Sequence, residues 1–79
     1  MVSKKVKKAL LDVKLWQIGD KSSFYTQLVK LISMADEQNK SRLEFLYPDY
    51  VEAYNIWYYK KLDGKSFVSD KELFEYIGD

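Results

Sequence analysis

The sequence predicts an all-α fold: a compact bundle of four to five short helices forming a single helical domain over residues 1–79. Three observations predict it. Apolar residues recur at three- and four-residue spacing along most of the chain, which gathers them on helix faces. Glycine and proline, at three and one, are too few to supply the turns of a multi-stranded sheet. The chain is 47% hydrophobic and 32% charged, which is the balance of a globular protein and not of a disordered tail.

A first helix is predicted from Ser3, whose hydroxyl can cap it, to about Gln17. Val6, Ala9, Leu10, Val13 and Trp16 fall on one side at helical spacing, and Leu11, Leu15 and Ile18 on another. Gly19 is placed to terminate it, and Asp20, Lys21, Ser22 and Ser23 offer caps for a second helix. That second helix carries Phe24, Leu28, Leu31, Ile32 and Ala35 on its predicted core face, with Tyr25 at the margin. Asp36 caps a third, shorter helix anchored by Leu43, Phe45 and Leu46. It ends before Pro48, which keeps Tyr47 out of the α region.

The fourth helix is the one around which the chain is organised, because Tyr47 to Leu62 hold six of the thirteen aromatics. Pro48 suits a first turn that needs no amide hydrogen, and Asp49 places negative charge beside orphan backbone donors. At about 100° per residue Tyr47, Tyr50, Val51, Tyr54, Trp57, Tyr58 and Leu62 share one side, while Ile56 and Tyr59 lie on the other. A last short helix follows Ser69-Asp70-Lys71-Glu72, which has the form of a capping box. The competing arrangement is a hairpin turning at Asp63-Gly64.

A domain of this length buries roughly 60% of the surface its unfolded chain exposes, so the core is thin. With no cysteine and no histidine, its stability comes from packing or association and not from disulfides or the usual zinc ligands. No apolar run reaches the ~18 residues that span a bilayer, so the expectation is a soluble protein with no membrane partner, and the lack of cysteine fits a cytoplasmic one.

Neither catalysis nor a cofactor is predicted. General acid or base work would fall to carboxylates, Lys or Tyr, and a Ser or Thr nucleophile would lack its commonest activating partner. Glu72 and Glu75, one turn apart, would need Asp79 to hold a metal; a solvated helix face accounts for them better, and no metal is expected. No phosphate-binding glycine loop or dinucleotide fingerprint occurs.

Two binding readings stand. The first is a protein partner or self-association: Leu11, Leu15 and Ile18 on the first helix, with Ile56 and Tyr59 on the fourth, give each helix a second apolar face. A central helix sandwiched between others explains the same pattern, and pattern alone does not rank the two. The second is nucleic acid. Residues 1 to 14 hold five lysines against one aspartate, and Lys4, Lys5, Lys7, Lys8 and Lys14, with Trp16, can meet phosphates. Those lysines point all round the helix, however, and the chain has one arginine, so a solvated or frayed basic start is favoured over a nucleic-acid site, and protein ranks ahead of nucleic acid as the partner. A small nucleotide stacked on tyrosine beside Lys60 and Lys61 ranks lower.

The segment ADEQNKSRLEFLYPDYVEAYNIW, with the preceding GDKSSFYTQLVKLI, resembles short proteins of phages and mobile elements with the loose pattern A-D-x-x-N-x-x-R-L, then Pro, then V-x-A-Y-x-x-W. The matching positions are Ala35, Asp36, Asn39, Arg42, Leu43, Pro48, Val51, Ala53, Tyr54 and Trp57, within residues 19 to 57. The resemblance implies a small helical protein without an assigned activity in a phage or mobile-element setting. Joined to the residue-level reading, it gives a non-catalytic interaction module whose partner is a host or defence factor that it inhibits or modulates, or a second copy of itself.

Overall fold

In the computed structural model, which describes residues 3–60 and 70–76, five helices follow one another with no strand among the described residues. They are α1 (Lys4–Gln17), α2 (Phe24–Met34), α3 (Glu37–Leu46), α4 (Pro48–Tyr59) and α5 (Asp70–Tyr76). The all-α bundle predicted from the sequence is the observed fold.

Each boundary has a local cause. Ser3 Oγ accepts the Val6 amide at 3.2 Å and opens α1. Gly19 closes it at φ 96°, a left-handed conformation that glycine adopts without the strain of a side chain. Ser23 and Thr26 form a capping box at the start of α2, with the Thr26 amide on Ser23 Oγ at 3.1 Å and the Ser23 amide on Thr26 Oγ1 at 3.3 Å. Thr26 is 1% exposed, and these bonds are what allow its hydroxyl to be buried. Asp36 Oδ1 accepts the Asn39 amide at 2.8 Å and opens α3. Tyr47, at φ −135° and ψ 63°, ends α3 and precedes Pro48 at the first position of α4.

The fourth helix is the centre of the bundle, packed against α1, α2 and α3. It runs alongside α1 in the same direction: Tyr50 meets Asp12, and one turn and two turns later Tyr54 and Trp57 meet Trp16. The core joins Val6, Leu10 and Val13 of α1, Leu28, Val29 and Ile32 of α2, and Tyr50 and Val51 of α4, with Leu73 of α5. Ala9 and Ala53 are fully buried, one on each of the paired helices, where small residues permit close approach of backbones.

Three sequence expectations need correction. On α4, Ile56 packs against the core whereas Tyr58 is 59% exposed, the reverse of the predicted sides. A helix touching three others buries a wider arc than one stripe, and Ile56 falls at its flank. On α2 the buried stripe is Thr26, Leu28, Val29 and Ile32, so Phe24 and Leu31, expected inside, stand out at 61% and 53% exposure. On α3, Phe45 and Leu46 do not anchor the helix: no α3 residue is fully buried, and only Leu43 packs against the core. Leu62, the Asp63-Gly64 hairpin alternative, the Ser69 cap and Asp79 lie outside the described residues.

Candidate functional site

The described residues expose ten large apolar side chains, nearly as many as the eleven that form the core. They are spread over two regions. At the shared C-terminal end of α1 and α4, Leu15 is 39% exposed, Ile18 72%, Tyr58 59% and Tyr59 74%. Along α2 and α3 stand Phe24, Tyr25, Leu31, Met34, Phe45 and Leu46.

The first region contains three of the five residues singled out from the sequence. Leu15, Ile18 and Tyr59 are open to solvent, whereas Leu11 and Ile56 lie half-buried against the core, as the sandwiched-helix account requires of them. Beneath the exposed residues is an aromatic floor. Trp16 meets Trp57 edge-on with ring centroids 5.2 Å apart, Tyr54 lies 5.4 Å from Trp57, and the Trp57 indole donates to Gln17 Oε1 at 2.7 Å. These contacts join the last turns of α1 and α4 and assign Trp16, Tyr54 and Trp57 a packing role.

The second region escaped the sequence reading as a surface, because its members at 24, 31, 45 and 46 have the spacing of core residues. Its middle is concave. Leu31 and Met34 of α2 face Asn39, Arg42 and Leu43 of α3 across Ala35, around an open concavity of about 380 Å³. A second concavity, lined by Ser41, Arg42, Phe45 and Leu46, continues along α3. Arg42 lines both, and its guanidinium donates to Asn39 Oδ1 at 3.3 Å. Ala35, Asn39, Arg42 and Leu43, four positions of the A-D-x-x-N-x-x-R-L pattern, border the first concavity.

The short connections explain the exposure. Two residues join α2 to α3 and one joins α3 to α4, so α3 is held across the bundle's edge with little freedom to roll its apolar side inward. Lys40 ties its other side to α4, donating to Asn55 Oδ1 at 2.8 Å with its ammonium 5.4 Å from the centre of the Tyr54 ring. A third hollow, between α3 and α4, is bordered by Glu44 and Glu52 and has acidic walls.

The basic residues do not converge. Lys7 lies over the Phe74 ring at 5.4 Å and Lys8 over Tyr25 at 5.8 Å; Lys4 and Lys5 are exposed, and Lys14 is half-buried. Lys8 precedes Trp16 by eight residues, a rise of about 12 Å along α1, and Trp16 is packed against α4. The helix therefore does not assemble these lysines and that aromatic into one platform. Glu72 and Glu75 are exposed on α5, with Glu75 4.0 Å from Lys71. Among the described residues no helix is long and apolar enough to cross a membrane.

Among the described residues, two tyrosines that pack the helices together titrate above their ordinary value. Tyr50, stacked on Tyr25 at 5.1 Å, donates to Asp12 Oδ2 at 2.6 Å, and burial, followed by this bond and the Asp12 charge, pushes its hydroxyl well above the usual 10.0. Burial raises Tyr54 in the same direction, with Tyr58 adding to it. The unfolded chain thus ionises these tyrosines first. Their contribution to stability is fully present below the ordinary tyrosine value and is lost as pH rises from there through the folded values. Denaturation midpoints measured from about pH 8 to about pH 11.5 should be level up to about pH 10 and then fall, with a shallower fall in Tyr50→Phe. A fall of equal steepness in that variant contradicts the assignment to Tyr50.

Comparison with known families, curated proteins and solved structures finds no match.

Proposed function

We propose that this chain is a non-catalytic protein-interaction module that binds its partner chiefly through the α2–α3 face. The observation that carries the reading is the row of exposed apolar side chains around Arg42: Leu31 at 53%, Met34 at 69%, Phe45 at 86% and Leu46 at 66%. Single exposed apolar residues are ordinary on a protein surface, but a contiguous concave set rimmed by polar groups is the usual mark of an interface. Phenylalanine, methionine and arginine, present here as Phe45, Met34 and Arg42, are residue types enriched at protein interfaces. The resemblance over residues 19 to 57 supplies only the setting, a phage or mobile element; in that setting a host or defence factor that the chain inhibits or modulates is the partner we propose. A cysteine-free chain fits the reducing cytosol in which we place its action.

The apolar end of α1 and α4, with Leu15, Ile18 and Tyr59, is a second surface of the same kind and the one suited to self-association.

Affinity capture from host lysate with the wild-type chain and with a Met34→Asp, Phe45→Asp variant tests the proposal. Both positions are exposed, so the variant should keep its helical content and melting temperature while losing the captured partner, with affinity down about 30-fold or more as expected for hot-spot anchors. Identical capture by a folded variant contradicts the α2–α3 assignment.

A further inference from the structure

We propose that the occupant of the α2–α3 face is an acidic apolar segment of a partner protein, in which a carboxylate seated on Arg42 is flanked by apolar side chains, one in each concavity. This deepens the protein-binding reading above and rests on it.

Arg42 is the chain's single arginine, and it stands where the two concavities meet. Its large neighbours along the face are apolar, Leu31, Met34 and Leu43 on one side and Phe45 and Leu46 on the other, with Asn39 and Ser41 as the polar members of the two linings. The only side-chain hydrogen bond of its guanidinium to a described residue goes to the neutral oxygen of Asn39, at 3.3 Å, the long end of the range for such a bond. Among the described residues no carboxylate forms an ion pair with it. A planar guanidinium offers five donors in a fork that matches a carboxylate through two parallel bonds. Here most of that fork is left for a partner, and the apolar surroundings would shield the resulting pair from water once the concavities are filled.

The same geometry disfavours a second copy of the chain. A two-fold pairing centred on this face would set one Arg42 against the other, and like charges brought together in an interface are unfavourable. A nucleic-acid phosphate would answer the guanidinium but not the apolar walls on either side.

Selection from a randomised peptide library displayed on its encoding RNA, run in parallel on the wild-type chain and on Arg42→Gln, tests the inference without knowledge of the natural partner. Arg42 is exposed, and circular dichroism checks that the variant is folded. The expected result from the wild type is enrichment of peptides with Asp or Glu between large apolar residues. A synthetic peptide of that class should bind at least about tenfold tighter than its Gln or Asn counterpart, and Arg42→Gln should erase the difference. Raised salt should narrow it only in the wild type. Apolar enrichment with no acidic preference, or a preference unchanged in Arg42→Gln, overturns the carboxylate assignment while leaving the protein-binding reading in place. Enrichment no different from an empty support overturns both. Light scattering that shows a dimer abolished by Phe45→Asp replaces the proposed occupant with a second copy of the chain.

Discussion

Trp57→Ala is expected to lower the unfolding free energy by about 3–5 kcal/mol, a large share of what a domain of this size possesses. The indole is half-buried where the last turns of α1 and α4 meet. It packs edge-on against Trp16 with centroids 5.2 Å apart, lies 5.4 Å from Tyr54, and donates to Gln17 Oε1 at 2.7 Å. Truncation removes two aromatic contacts and a hydrogen bond and leaves a void between the helices. Two residues along, Tyr59 is 74% exposed and touches Tyr58, its own neighbour, at 5.2 Å between centroids. Tyr59→Ala should therefore change stability by no more than about 0.5 kcal/mol. Urea denaturation of the two variants checks the pair. Comparable losses would show that Tyr59 packs in the fold and does not stand free of it.

The second large effect separates two leucines. Leu10, 2% exposed, is among the largest fully buried side chains in the core, and Leu10→Ala should cost about 2–5 kcal/mol. Leu31, 53% exposed, lines the α2–α3 concavity, and Leu31→Ala should cost much less because solvent already reaches half of the side chain. The chemical change is identical, so the difference reports position alone. A loss at Leu31 equal to that at Leu10 would place α2's outer stripe inside the fold and remove one wall of the proposed interface.

The fold was legible wherever a single residue type has one job. Ser3, Asp36, Gly19 and Pro48 mark their helix boundaries through specific backbone needs, and each does so in the structure. The candidate site was legible only in part, because two stripes compete on α2. Phe24, Leu28, Leu31 and Ala35 have helical spacing, but so do Tyr25, Leu28, Val29 and Ile32, and the choice depends on how α2 is rolled against α1 and α4. A short connection holds α3 at the edge, which periodicity does not record, and so Phe45 and Leu46 read as anchors. Leu15, Ile18 and Tyr59 were legible as surface because they lie well round from strong core faces. Leu11 and Ile56 were not, because a helix packed on several sides hides its flanks.

The most direct test of the claim that the α2–α3 face is an interface is site-specific photo-cross-linking in cells that express the chain. Phe45, 86% exposed beside Arg42, is replaced by benzoylphenylalanine in one experiment, and Glu52, exposed beside the acidic hollow between α3 and α4, in another. The account predicts that irradiation yields a discrete protein adduct from position 45, and that position 52 yields none. No adduct from position 45, or the same adduct from both positions, would contradict it.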